Sequence, residues 1–383
     1  MNADWFASPL YADEPEARQA RLLETLCEQM GQGAQVCEPF RRFLEGRQWL
    51  PLSEVRALED LPFLPVSVFK RPEPLSFLDN GQVYRILNSS ATTGQQPSRI
   101  AIDRHTAKLM TRGVTAILAD FIGSYRRPYL VIDCAPDSGG AASARGAAVQ
   151  GLMAFATEVC YALRPAQNRE REKSGPDDLV LDIEQIRKFL QKYRDTDVVV
   201  YGFTYMLYLH LGGGLPSSAQ ALGNLSDEYG LPLLPKAHIL HSGGWKRLQQ
   251  LAIGKSMFGS RVAASLGTKA HAVLDYYGMV EQLGVVYPDC SQGNKHAPRF
   301  AEVIVRDPLT WAPCGAGQTG IIQVLSALSP SFPGQSLLTE DMALVVHEDG
   351  CACGRRGIAF RFAGRVPKAE VRGCSDVHQR RRT

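Results

Sequence analysis

The chain has 383 residues, 45% hydrophobic and 21% charged, enough for one large packed domain with a smaller companion and no covalent staples. Its 42 basic residues against 39 acidic ones leave a net charge of +3, which gives no electrostatic case for nucleic acid or an anionic membrane surface as partner. No apolar run reaches the roughly 18–20 residues that cross a bilayer, and the opening "MNADWFASPL" lacks the charged and apolar regions of a signal peptide; the expected location is the cytoplasm.

In chain order, the spacing of Ala, Leu, Cys and Phe from Glu14 to Leu44 predicts two helices separated near "GQGAQ". A Pro-rich connection, "LPFLPVSVFKRPEPLSF", follows, and together these make an N-terminal helical layer over residues 1–75. "VYRIL" (Val83 to Leu87) reads as a strand. After the polar stretch "NSSATTGQQPS" (Asn88 to Ser98), "RIAIDRHTAKLMTRGVTAILADFI" moves from alternation to helical spacing.

Over residues 76–295, strand candidates "YLVIDCAP", "DVVVYGF" and "AHILHSGG" alternate with helical stretches such as "DIEQIRKFLQKYRDT". That order predicts an α/β core with a largely parallel sheet. "REREKSGPDD" (Arg169 to Asp178) is the expected exposed loop. From 296 to 363 the pattern becomes short strands and turns, "RFAEVIVRD", "TGIIQVLSA", "MALVVHEDG" and "IAFRFAGR", a small antiparallel β subdomain. Residues 364–383 remain as a short C-terminal tail containing Cys374, which the resemblance set out below makes a hinge and tail.

The nine cysteines read as core thiols, metal ligands or a nucleophile rather than as disulfides in a reducing compartment. Cys290, His296, Cys351 and Cys353 fall in turn-like contexts and supply the donor set of a tetrahedral Cys₃His zinc site. The alternative is a group of reduced thiols at the surface. Four protein ligands leave no open position, so zinc here would be structural, pinning the loop after "YYGMVEQ" to the β subdomain. Cys314 is a possible replacement ligand.

The stretch from Asn88 to Ser98 offers hydroxyls and backbone N–H groups between a strand and a helical segment, the materials of a phosphate cradle. It lacks the G-x-x-x-x-G-K-[ST] spacing of a P-loop, and a hydroxyl-rich turn that merely caps a helix remains the alternative. "SSATTGQQPS" resembles the phosphate loop of the adenylate-forming superfamily, with Ala91 where Gly is usual. "HSGGWKR", "YYGMVEQ", "LLTED" and "FAGRVPKAEVRGCSD" resemble four further elements of that superfamily in the same order. Within it, "LPFLPVSVFK", the Pro-Ser ending of the loop, "GGWK" and the late "GCS" resemble the LuxE-type acyl-protein synthetases, which are related to phenylacetate-CoA ligases.

The resemblance implies the adenylate-forming N-terminal-domain fold, with a parallel-rich α/β core, a small β subdomain and a truncated C-terminal domain. It implies ATP-dependent conversion of a carboxylic acid, fatty or aromatic, to an acyl adenylate, followed by transfer to a thiol. Ser89, Ser90, Thr92, Thr93 and Gly94 would then hold the β- and γ-phosphates. Glu281 would act in catalysis by binding Mg²⁺. Gly243, Gly244, Tyr277 and Gly278 would line the nucleotide, and Asp341 would take the ribose hydroxyls with Arg365 nearby.

Only residues 366–383 follow Arg365, so the family's second domain and its activating lysine are expected to be almost absent, with Lys246 or Lys368 as substitutes. Cys374 matches the cysteine that takes the acyl group in LuxE-type enzymes, and Arg372 or Lys368 would favour its thiolate. A C-x-C-G-R segment with an upstream Cys and His also resembles a structural zinc site of the phenylacetate-like branch. An acyl reductase, a carrier protein or coenzyme A would be the acceptor. Two alternatives stand beside this reading: an acid–CoA ligase, and a catalytically weak nucleotide-binding scaffold.

Overall fold

The computed structural model describes residues 3–46, 48–71, 73, 75–89, 97–135, 155–167, 179–213, 230–282 and 284–366. Helix α1 (Pro15–Val36) buries Leu22, Leu26 and Met30 along one face, the four-residue spacing of a core stripe. It runs through "GQGAQ" instead of breaking there, and ends at Cys37, before α2 (Glu38–Leu44) with its proline in the first turn. The glycines lower helix propensity, but Gly33 has a packing reason, since a Cβ there would overlap the Phe77 ring.

The chain continues through β1 (Leu64–Pro65), β2 (Arg85–Asn88), β3 (Arg99–Ile102), α3 (Arg104–Ile122), β4 (Arg127–Cys134), β5 (Ala156–Pro165) and β6 (Leu179–Leu181). Then come α4 (Ile183–Tyr193), β7 (Val198–Phe203), α5 (Thr204–His210), β8 (Ala237–Ser242), α6 (Lys255–Leu266), β9 (Val273–Tyr277) and β10 (Tyr287–Pro288). The last strands are β11 (Lys295–His296), β12 (Ala301–Arg306), β13 (Thr319–Ser326), β14 (Ser336–His347) and β15 (Ala359–Arg365).

Two compact units emerge, one from the described residues of 1–109, 280–285 and 292–383, the other from those of 110–279 and 286–291. They cut across the segments read from the sequence: the helical layer of 1–75 and the β subdomain of 296–363 belong to one unit. In that first unit the sheet order is β11-β15-β14-β13-β12, antiparallel throughout, with β1 added in parallel beside β14. Buried polar groups tie the helical layer to it. Arg18 of α1 pairs with Glu302 of β12 and donates to the Ala301 carbonyl at 3.0 Å. Arg306 donates to the Glu59 carbonyl at 2.6 Å and the Trp311 carbonyl at 2.7 Å.

In the second unit the sheet order is β10-β9-β8-β7-β4-β5-β6. Strands β9, β8, β7, β4 and β5 run parallel, and β10 and β6 pair antiparallel at the edges. One face packs Leu130, Ile132, Val198, Val200 and Ile239 with residues of α4, α5 and α6. The other packs Tyr129, Val131, Val199, Tyr201 and Leu240 with Val114, Leu118 and Ile122 of α3. Both faces being covered explains the near-continuous apolar runs of these strands.

Candidate active site and metal centre

The polar stretch after β2 is anchored at its mouth. Strands β2 and β3 pair antiparallel up to Asn88 and Arg99, and beyond them the Ser89 N–H donates to the Ser98 carbonyl at 3.0 Å while the Ser98 N–H donates to Ser89 Oγ at 2.8 Å. Ser90, Thr92, Thr93 and Gly94 lie outside the described residues. The arrangement of strand, loop and helix expected from the sequence is corrected: β3 intervenes, and α3 starts only at Arg104, where Asp103 Oδ1 accepts the Thr106 N–H at 2.7 Å. The start of α3 is therefore set by an Asp cap rather than by the loop.

In the same unit Glu281 sits on a 3₁₀ turn, Val280–Gln282, that Gln282 anchors by donating to the Leu325 carbonyl at 3.1 Å. The Glu281 side chain is only 7% exposed. Burial raises its pKa above the usual carboxylate range, opposed by the Ser98 hydroxyl, its own backbone N–H and Lys70, and assisted by Glu340. Lys70 and Glu340 form an ion pair at 2.9 Å. Asp341 of β14 stands opposite Arg365 of β15 in register, with Arg365 Nε 3.4 Å from Asp341 Oδ1, so the two side chains expected near the ribose are neighbours.

In the second unit the strand order reverses between β4 and β7, with β5 and β6 following β4 on one side and β8 and β9 following β7 on the other. That reversal is a topological switch point, and the crevice outside the carboxyl ends of such strands is where open α/β sheets bind ligands. Asp133 and Cys134 end β4, Phe203 ends β7, and His241 and Ser242 end β8, with Gly243 and Gly244 following at once. Gly243 has φ of +77°, a conformation that favours glycine. The His241 ring packs 4.7 Å from Phe258, and Nδ1 meets Thr204 Oγ1 at 3.0 Å.

Two buried tyrosines, Tyr201 and Tyr276, join hydroxyl to hydroxyl at 3.2 Å, and burial raises the pKa of both. The sequence reading did not single out this pair. Tyr277 stacks 6.0 Å from Tyr287, and Gly278 follows it against Val286. Tyr205 and Tyr208 belong to the apolar core, Tyr208 with its ring 4.8 Å from that of Trp245.

The cysteine constellation comes together. The ligand atoms of Cys290, His296, Cys351 and Cys353 all lie within 4.8 Å of one another, in a chain where ~2.3 Å Zn–S bonds would demand tetrahedral edges of ~3.8 Å. His296 Nε2 is 3.4 Å from Cys353 Sγ, Asn294 Nδ2 donates to Cys351 Sγ at 3.5 Å, and the Arg355 N–H donates to Cys353 Sγ at 3.5 Å. Donors aimed at sulfur suit thiolates. Burial first, then Arg355, depresses the His296 pKa to about 4, which keeps the imidazole neutral, as a ligand must be. Cys314 is outside this group, on a separate turn where its N–H donates to the Val305 carbonyl at 2.7 Å. Cys374 and Lys368 lie outside the described residues.

Residues 5–383 match the family model of the acyl-protein synthetases, "Acyl-protein synthetase, LuxE". The chain belongs to this family. Similar curated proteins are two enzymes named long-chain-fatty-acid--luciferin-component ligase. The one from Vibrio harveyi is 22% identical over 343 residues, 88% of this chain and 82% of that protein. The one from Aliivibrio fischeri is 21% identical, over 76% of this chain and 71% of that protein. Among solved structures, 2-hydroxyisobutyryl-CoA ligase in the postadenylation state superposes with a TM-score of 0.65 at 16% identity, over 93% of this chain and 69% of that one.

The fold is thus that of the adenylate-forming ligases. As a family member the chain is an acid-activating ligase of the acyl-protein synthetase type. Among the described residues no helix is long and apolar enough to cross a membrane.

Proposed function

We propose that this acyl-protein synthetase activates a long-chain fatty acid with ATP and transfers the acyl group through Cys374 to a partner protein. The observation that carries the reading is the buried Glu281 carboxyl beside Ser98, at the anchored mouth of the hydroxyl-rich loop. An oxygen-lined carboxylate next to a phosphate loop fits a hard cation such as Mg²⁺, which when bound would neutralise phosphate charge. A carboxylate oxygen of the acid attacks the α-phosphorus of ATP and pyrophosphate leaves. The Cys374 thiolate then attacks the acyl carbonyl and AMP leaves, conserving the acyl group as a thioester.

Ser89, Ser90, Thr92, Thr93 and Gly94 donate to the departing phosphates. Asp341 accepts from the ribose hydroxyls with Arg365 beside it, while Gly243, Gly244, Tyr277 and Gly278 flank the nucleotide. The fatty-acid class is supported by the names of the curated relatives. The onward acceptor is an acyl reductase or a carrier protein. Coenzyme A is the second reading, favoured by the fold shared with a CoA ligase. None of the described cysteines forms a disulfide, which supports a reducing, cytoplasmic setting.

Cys290, His296, Cys351 and Cys353 fit structural zinc by donor type and proximity. The function is tested by acid-dependent ATP–pyrophosphate exchange across acids of different chain length. Exchange that rises with long-chain acids is expected, and exchange that ignores the acid overturns the assignment.

A further inference from the structure

The carboxyl ends of β7, β8 and β9 carry a row of polar side chains on one face of the parallel sheet. Ile239 and Leu240 on β8, like Val273 and Leu274 on β9, pack to opposite faces, so His241 and Asp275 fall on the face of Ile239 and Val273. These two are Cα partners in the β8–β9 register. Thr204, directly after β7, meets the His241 ring, and Lys255 of α6 donates to Asp275 Oδ2 at 3.0 Å and pairs with Asp289, which follows β10. Thr204 is 7% exposed, His241 5% and Asp289 7%. Buried polar groups in such a row cost stability unless each is bonded, and none of them has a part in the steps given above.

Thr204 fixes which nitrogen of His241 carries the proton. Its Oγ1 lies 2.8 Å from the Gly243 carbonyl oxygen, 3.1 Å from that of Ser242 and 3.0 Å from His241 Nδ1. Carbonyl oxygens so near a hydroxyl oxygen repel it unless the hydroxyl proton lies between them, because they can only accept. The hydroxyl has a single proton, so Nδ1 must donate to Oγ1. Neutral His241 is therefore the Nδ1–H tautomer, and Nε2 is the nitrogen that takes up and gives up a proton. The ring packs against Phe258, 4.7 Å between centroids, which holds that orientation.

We propose that His241 is the general base for acyl transfer, with Thr204 as its positioning residue. This rests on the acyl-transfer reading above and supplies a proton acceptor for it. The row stands at the carboxyl ends of the strands, where open α/β sheets bind ligands. The thiol sulfur bonds to the acyl carbon, the bond from that carbon to the phosphate oxygen breaks, AMP leaves with the electron pair, and the thiol proton moves to Nε2. The charged groups beside His241 are Asp275 on β9, with Lys255 on α6 and Asp289 behind it; α5 contributes the uncharged Thr204. A carboxylate in the next strand suits an imidazole that becomes cationic in the step.

Two readouts test this. In the full chain labelled with ¹⁵N-histidine, two-bond ¹H–¹⁵N correlations report each tautomer, and the signals of His241 are those that move in Thr204→Val and vanish in His241→Asn. The Nδ1–H pattern is expected in the parent and in Thr204→Ser, and a mixture of tautomers in Thr204→Val. The second readout is single-turnover AMP release from hexadecanoyl adenylate against pH, with the chain's own thiol as acceptor and then with added coenzyme A. His241→Asn keeps a donor to Thr204 but no base. Its transfer should fall about a hundredfold more than its ATP–pyrophosphate exchange does, and the acid limb of the parent's profile should disappear. Thr204→Val should lose about tenfold, one hydrogen bond's worth, and Thr204→Ser should return to within about twofold of the parent.

An Nε2–H tautomer in the parent overturns the proposal, as does a His241→Asn chain that keeps the acid limb. Equal losses of transfer and exchange in His241→Asn also overturn it, since a group that only shapes the site affects both. If His241→Asn does not fold, Thr204→Val and Thr204→Ser decide by the same profile. A parent that transfers to neither acceptor removes the acyl-transfer reading and the base with it; a parent and His241→Asn that transfer equally remove the base alone.

Discussion

In the parallel sheet the strand interiors, Leu130 to Ile132, Val198 to Val200 and Ile239 to Leu240, are apolar and covered on both faces, and buried polar groups stand at the strand ends, Arg127 where β4 begins and Asp133, Thr204, His241 and Ser242 at the carboxyl ends. In the antiparallel sheet the strands themselves bury Glu302, Arg306, Gln323, Ser326 and Ser336. The difference separates two uses of polarity. Within the antiparallel strands, buried charge ties the N-terminal layer in place, as Arg18 does with Glu302. At the ends of parallel strands, polar groups stand where this class of sheet binds ligands. Glu281, on its 3₁₀ turn, and the cysteine quartet, gathered from three loop cysteines and His296 of β11, belong to neither pattern.

The sharpest break in that comparison is Glu281→Gln. If this carboxylate is functional rather than a structural tie, ATP–pyrophosphate exchange falls by on the order of a hundredfold or more while the melting temperature does not drop. Loss of stability with retained exchange would move Glu281 into the structural class.

Next comes the quartet. Cys353→Ser should lose most of the bound zinc, measured by elemental analysis, and lower thermal stability, since structural zinc contributes folding free energy directly. Acid should act in the same direction. The folded His296 pKa of about 4 lies below the ordinary ~6.5, so the unfolded chain takes up more protons in between. In the metal-free chain this stabilisation is full above ~6.5 and is lost as pH falls toward 4. A metal-free chain whose unfolding free energy does not fall across that window would contradict it.

A smaller effect tests the structural ties: Arg18→Met leaves Glu302 buried without its partner and should cost about 3–5 kcal/mol in denaturant unfolding. Exchange per folded molecule should be unchanged. The smallest is Tyr276→Phe, which removes one bond of the buried Tyr201 pair and should cost about 1 kcal/mol.

Apolar periodicity was a reliable guide wherever burial covers both faces of a strand, and β4, β7 and β8 stand where "YLVIDCAP", "DVVVYGF" and "AHILHSGG" put them. It failed for β5, whose Thr157 and Glu158 interrupt the apolar run, Glu158 being drawn outward by Lys192 and Tyr193. It also misplaced the end of α1, because the reason for Gly33 is the distant Phe77 ring, which no local pattern reveals.

The cysteine quartet was legible from donor chemistry alone, since ligands of one metal need no regular spacing. The environment of Glu281 was not. Lys70, Ser98 and Glu340 approach it from three separate stretches, and nothing in their neighbours in sequence marks the meeting.

The account rests on an acid being activated by ATP and carried as a thioester on the chain. Intact-protein mass spectrometry after incubation with ATP, Mg²⁺ and a mixture of fatty and aromatic acids, for the parent and Cys374→Ala, tests this directly. The predicted result is a hydroxylamine-sensitive adduct on the parent with the mass of a long-chain acyl group, absent from Cys374→Ala. No adduct on either chain, with acyl-CoA accumulating once coenzyme A is added, would contradict it.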